Sequence, residues 1–188
     1  MSNLDQILRS RRSLRSLAPV TITPELISAL SRAASLAPSC YNKQPWRYIF
    51  VHDPQVLDKM HDALSKGNEW AQKSSLIIAV LSHPDLDCII KDREYFLFDT
   101  GLATAMLLLK ATDLNLVAHP IAGFDPAKVR AILDIPENMT VVTLVIVGAR
   151  ADHIDAELSE WQRAAETERP PRLTPDRFRA ENRYTFEH

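Results

Sequence analysis

At 188 residues, with 46% hydrophobic and 24% charged side chains, the chain has the composition of one globular domain rather than of a disordered, fibrous or membrane protein. A formal net charge of -2 excludes a global polyanion-binding surface, so contact with nucleic acid or an anionic membrane would need a local basic patch. The opening MSNLDQILRSRRSLR lacks the apolar core of a secretory signal, and the most apolar helical run, Gly101 to Leu109, falls well short of the roughly 20 residues a spanning helix needs. Neither a membrane nor a nucleic acid is therefore expected as a partner, and a cytoplasmic location is the default. Cys40 and Cys88 form neither a C-x-x-C pair nor a disulfide framework, and they are read as free thiols of a reducing compartment.

In chain order, NLDQILRSRR carries Leu4, Ile7 and Leu8 at helical spacing, with Ser2 or Asn3 placed to cap. TITPELISALSRAASLA offers Thr23 as N-cap and Pro24 as first helical residue, and Pro38 ends the segment. WRYIFVHD reads as a strand closed by Asp53 and Pro54, after which PQVLDKMHDAL returns to helical period. SSLIIAVLSH is an unbroken apolar run of strand length, the pattern of a strand buried on both faces. From Arg93 to Thr112 the apolar residues leave little room for a polar side, so this helix is expected to be buried nearly all round, in a core or between subunits. Asn115 is placed to end it in the left-handed conformation. A short strand and turn follow in LVAHPIAGFDP, then a helix in PAKVRAIL and a second buried strand in TVVTLVIVGAR. Beyond Arg150 a polar helix is compatible with ADHIDAELSEWQRAAETE, whereas residues 165–188 are Pro-rich and basic and read as an extended arm of the same single domain.

Three stretches could carry chemistry. In RRSLR, Arg11, Arg12 and Arg15 repel if they share a helix face, and guanidinium forks with the Ser13 hydroxyl suit a phosphomonoester; three arginines alone also describe a solvated basic face. In PSCYNKQPW, Ser39, Asn42 and Gln44 lie between Pro38 and Pro45, a set of neutral donors and acceptors that fits a polyol or a heterocycle edge, or simply a helix-to-strand turn. In HPIAGFDP, Gly123 follows a strand end, where a bare main chain lets a planar ligand approach. There is no H-E-x-x-H, G-x-S-x-G, Walker loop or G-x-G-x-x-G. Zinc ligands would have to come from scattered histidines and two distant cysteines, so no metal site is expected.

In this order, RRSLR, APSCYNKQPWRYIFV, FDTGLATAMLLL and HPIAGFDP resemble the nitroreductase family of flavin enzymes, from about Leu4 to Gly148. The resemblance implies an α+β fold with a central mixed sheet flanked by helices, an intertwined homodimer, and FMN held between the two copies. It implies that Arg11, Ser13 and Arg15, with Arg12, hold the phosphate and ribityl end. Pro38, Ser39, Cys40 and Asn42 would come from the other subunit, Asn68 would reach the ribityl chain, and Pro120, Ala122 and Gly123 would face the ring. Arg172, with Arg169 as a second candidate, would complete the phosphate site from the arm. The implied activity is ping-pong transfer of a hydride from NAD(P)H to a nitroaromatic, a quinone or a similar acceptor, with no acid–base catalytic residue. Reductive dehalogenation, flavin fragmentation and plain flavin binding remain open alternatives. Asn115, Leu116 and Val117 stand where many relatives read Gly-Leu-Gly, so the specificity of a relative does not carry over.

Overall fold

Short polar side chains and prolines set the helix starts in the computed structural model, which describes residues 3–186. Helix α1 spans Asn3–Ser10, and the alternative cap Ser2 lies outside the described residues. Helix α2, Pro24–Ser35, begins as its sequence dictates, the Thr23 hydroxyl accepting the Leu26 N–H at 3.2 Å. Asp53 does the same for α3, Pro54–His61, taking the N–H groups of Gln55 and Val56 at 3.0 and 3.1 Å. Asp125 caps α5, Pro126–Ile132. In α6, Glu160–Thr167, Gln162 Oε1 reaches back to the Ser159 N–H at 2.9 Å.

The strands are β1 Leu17–Ala18, β2 Arg47–Val51, β3 Leu76–Ser82, β4 Ile89–Ile90, β5 Arg93–Glu94, β6 Leu116–Ile121 and β7 Thr140–Arg150. β7 organises the main sheet: β6 pairs along one edge, while β3 and then β1 share the other, β3 against residues 140–147 and β1 against 149–150. β2 closes the far side of β3. The expected mixed sheet is antiparallel at each of these pairings. Short α3 with the turns after it, and likewise α5, return the chain to the end of the sheet it had left, so the next strand runs back rather than parallel.

The unbroken apolar run of β3 is buried at all of its positions. Its alternation splits the core: Ile77, Ala79 and Leu81 face α3 and α5 with Leu57, Met60 and Val129, and Leu76, Ile78 and Val80 face α2 with Leu30 and Ala34. Helix α4, Phe96–Asp113, lies on this second side through Ala103, Leu107 and Ala111. It starts three residues later than expected, because Arg93–Glu94 pair with Ile89–Ile90 in a small hairpin. Within one chain it is not buried all round: Leu97 and Phe98 are 49% and 62% exposed, the part of the expected burial that would fall between subunits. Asn115 takes φ 58° just past its end, the left-handed turn expected there.

Cys40 and Cys88 are not free thiols but are joined in a disulfide with their Cα atoms 6.0 Å apart. Their spacing in sequence conceals this, and the sheet register explains it. β2 and β3 pair with Arg47 opposite Leu81, and the same register counted seven residues past that pair sets Cys40 opposite Cys88.

Candidate functional site

The arginines of RRSLR do not share a helix face, since α1 ends at Ser10 and the chain from Arg11 to Ser16 is irregular. Leu14 and Ser16 turn into the core, and Arg11, Arg12, Ser13 and Arg15 remain half-exposed, bordering a cavity of about 590 Å³. The opposite wall comes from the end of the chain: Trp161, Ala165, Arg169, Pro170 and Arg172. The two walls are stitched through the backbone. Arg12 donates to the Ala165 carbonyl at 2.6 Å, and Arg169 donates to the carbonyls of Arg9 and Arg11 at 2.7 and 2.6 Å. Glu166, buried in α6, accepts the N–H groups of Arg15 and Ser16 at 2.7 and 3.2 Å.

The result is a cavity lined by five arginines and one carboxylate, Glu168. None of the ion pairs among the described residues involves any of these arginines. Burial first, and then the charges of Arg169, Arg172 and Arg12, lower Arg11 from its ordinary value. Arg169 is lowered by burial and by Arg12 and Arg172. A cluster in which each cation raises the cost of the next is a site for an anion. Arg11 also donates to Ser13 Oγ at 3.3 Å, which holds hydroxyl and guanidinium side by side.

Aromatic rings carry the floor. The Arg15 guanidinium sits 5.8 Å from the Trp70 ring and 4.7 Å from the Trp161 ring, a cation between two π faces. Trp70 stacks in turn on His119 at 4.7 Å between centroids. His119 is buried on β6, with Nδ1 3.0 Å from the Leu14 carbonyl oxygen. Burial is the main cause that pushes its pKa down to about 4, so at neutral pH the ring is uncharged and Nδ1–H donates.

Pro120 ends β6 with Ile121, and Ala122 and Gly123 form the turn beyond it. Here the structure gives glycine a packing reason beside the one expected. A Cβ on Gly123 would collide with Asn68 Nδ2, which donates to the Gly123 carbonyl at 2.9 Å. The space a side chain would need is filled by Asn68. Ser65 N–H donates to the same carbonyl at 3.0 Å, so Asn68 and Gly123, far apart in sequence, form one unit.

Pro38, Ser39, Cys40 and Asn42 lie elsewhere. Their loop turns through positive φ at Tyr41, Asn42 and Gln44, and it is pinned by Gln44 N–H to Ser39 Oγ at 3.0 Å and by Cys40 N–H to Asp99 Oδ2 at 2.6 Å. Pro38, Ser39 and Cys40 line a second cavity, of about 460 Å³, with Tyr95, Phe98 and Leu102, and it shares no residue with the arginine cavity. Within one chain, then, Arg11, Arg12, Ser13, Arg15 and Arg172 are brought together, Asn68 meets Gly123, and the loop stands apart. Sequence reasoning missed Trp70, Trp161 and Glu166. The polar helix that holds the last two carried no motif, and only its contact with the amino-terminal segment reveals them.

The model of the nitroreductase family matches residues 8–82 and 90–149. "Putative NADH dehydrogenase/NAD(P)H nitroreductase" of Archaeoglobus fulgidus is 33% identical over 155 residues, covering 80% of this chain and 87% of that protein. The protein of Thermus thermophilus named NADH dehydrogenase is 25% identical over 175 residues, covering 76% of this chain and 84% of its own. Among solved structures, one described as an oxidoreductase containing FMN superposes with a TM-score of 0.85 at 26% identity, covering 100% of this chain and 96% of that one. A nitroreductase family protein of Clostridium novyi gives a TM-score of 0.74 at 25% identity, with 80% and 87% covered. The chain belongs to the nitroreductase family, a family of oxidoreductases. No helix among the described residues is long and apolar enough to cross a membrane.

Proposed function

We propose that the protein is an FMN-dependent oxidoreductase that takes a hydride from NAD(P)H and passes it to a nitroaromatic, a quinone or a similar acceptor, and that it works as a homodimer in the cytoplasm. The observation that carries this reading is the arginine cavity, where five guanidinium groups and the Ser13 hydroxyl converge and none of the five has an ion-pair partner among the described residues. That donor set fits a phosphomonoester, whose oxygens accept forked, charge-assisted hydrogen bonds. FMN carries such a group, and when bound it supplies the hydride chemistry.

The chain's own residues supply position. Arg11, Arg12, Ser13 and Arg172 hold the phosphate end, with Arg169 fixed to the backbone beside them. Arg15 is kept rigid between Trp70 and Trp161 and faces the ribityl side. Asn68, Pro120, Ala122 and Gly123 form the adjoining strand end. Pro38, Ser39, Cys40 and Asn42 line no part of the arginine cavity, and a second copy of the chain would bring them to it. No side chain is assigned as acid or base. The absorption spectrum of the purified protein tests the cofactor, and rapid mixing with NADH and with NADPH tests the reaction. A flavin band bleached by either nucleotide is expected, and a protein that takes up no added FMN overturns the reading.

A further inference from the structure

Helix α6 is built the opposite way from a helix held by apolar packing. The two residues it buries, Gln162 and Glu166, are polar and lie four apart on one face, while Trp161 stands in solvent. Buried polar groups cost free energy unless each finds a partner, so this face is held by the hydrogen bonds it makes. Those of Glu166 go to the Arg15 and Ser16 N–H groups of the arginine segment. Those of Gln162 go to a different part of the site. Its Oε1 accepts the N–H and the hydroxyl of Ser159 at 2.9 and 3.0 Å, and its Nε2 donates to the Gly67 carbonyl at 2.9 Å.

That carbonyl belongs to the same planar peptide unit as the Asn68 N–H. Gly67 takes φ 92° to present it. The peptide is gripped from both sides, its carbonyl by Gln162 and its N–H by the Ser65 carbonyl at 3.1 Å. The side chain that follows is fixed as well, Asn68 Nδ2 donating to the Gly123 carbonyl at 2.9 Å. With the amide nitrogen committed to a carbonyl, Asn68 Oδ1 is left to accept from a hydroxyl of a ligand.

We propose that Gln162 is a positioning residue for FMN, holding the Gly67–Asn68 peptide so that Asn68 Oδ1 takes a ribityl hydroxyl. Glu166, about 6 Å along the same helix face, holds the phosphate end in the same way. α6 thereby sets the separation between the two ends of the ligand. The inference rests on the flavin reading above, and every bond it uses lies within one chain.

Fluorescence titration of flavin-depleted full-length protein with FMN tests it. Gln162→Asn keeps an amide but is one methylene too short to reach both Ser159 and Gly67, and it is expected to weaken FMN binding about tenfold. Gln162→Met, which has the length and no donor, is expected to do the same. Asn68→Ala is expected to lose about tenfold by itself, and adding Gln162→Asn to it less than about twofold more, because the group being positioned is gone. Ser159→Ala takes a hydroxyl from Gln162 Oε1 but leaves the Gly67 bond, so thermal stability is expected to fall while FMN affinity stays within about twofold. Wild-type affinity in both Gln162 variants overturns the inference. So does a tenfold loss that persists without the Asn68 side chain, or an equal loss in Ser159→Ala, which would reduce Gln162 to a helix cap. Unchanged affinity in Asn68→Ala removes Asn68 from the flavin contacts and the inference with it, whereas a wild-type protein that takes up no FMN overturns the flavin reading itself.

Discussion

The arginine cavity and the Asp87–Asp99 corner concentrate charge of opposite sign, and they manage it in opposite ways. Around the cavity, half-exposed or exposed guanidinium groups that cannot shed their protons stay crowded, with no carboxylate paired to them among the described residues. In the corner, burial first raises the Asp87 carboxyl from its ordinary value, a response open to a group that can take up a proton. Arginine lacks that escape. Accumulated charge therefore points to a ligand only where the groups cannot titrate, which is why the flavin phosphate is assigned to the first region.

The sharpest way to break this contrast is to remove the fixed charge. Replacing Arg11 and Arg172 together by Ala is expected to weaken FMN binding by about 4 kcal/mol, on the order of a thousandfold, in a fluorescence titration. Asp87→Asn should leave that affinity unchanged. An FMN affinity indifferent to the two arginines would remove the anion from the cavity.

His119 beneath the cavity is the next test. Its folded pKa of about 4 lies below its ordinary 6.5, so between these values the unfolded chain binds a proton that the folded chain refuses. Stability contributed by the neutral ring is therefore complete above pH 6.5 and drains away as pH falls towards 4, by about 3 kcal/mol. Urea denaturation at stepped pH should show this slope, and His119→Asn should flatten it. A smaller effect, about 2 kcal/mol, is expected for Glu166→Ala, which strands the Arg15 and Ser16 N–H groups. Thermal melts would record it, and FMN binding should weaken with it because the two walls part.

The smallest effect sharpens the corner. Because the Asp87 pKa is raised on folding, its stabilising contribution is present at low pH and is lost as pH climbs through the folded value. Asp87→Asn should thus gain stability at pH 8 and none at pH 3. Equal gains at both would mean that packing, not charge, is the cause.

How much of this was legible in the sequence depended on range. Thr23 with Pro24, Asp53 with Pro54 and the unbroken run of β3 announce their elements because caps and hydrophobic period act over a few residues. The α4 boundary failed where a two-residue strand at Arg93–Glu94 competed with helical period. The disulfide was hidden because it depends on the register of β2 against β3, which no spacing between cysteines reveals. At the site, RRSLR was readable as a phosphate-seeking cluster, yet its helical geometry was not, and the partnership of Gly123 with Asn68 lay in packing alone.

The Glu166 clamp joins residues 150 apart in the chain, and Arg169 fastens to Arg9 and Arg11 across a comparable span. During synthesis the RRSLR arginines leave the ribosome about 150 residues ahead of the wall that faces them. The β7 sheet can assemble first, and the nascent chain then waits with half a binding site. Loading of an anion is thereby tied to the emergence of α6: a chain stalled before it would hold its RRSLR segment, yet have no cavity to fill.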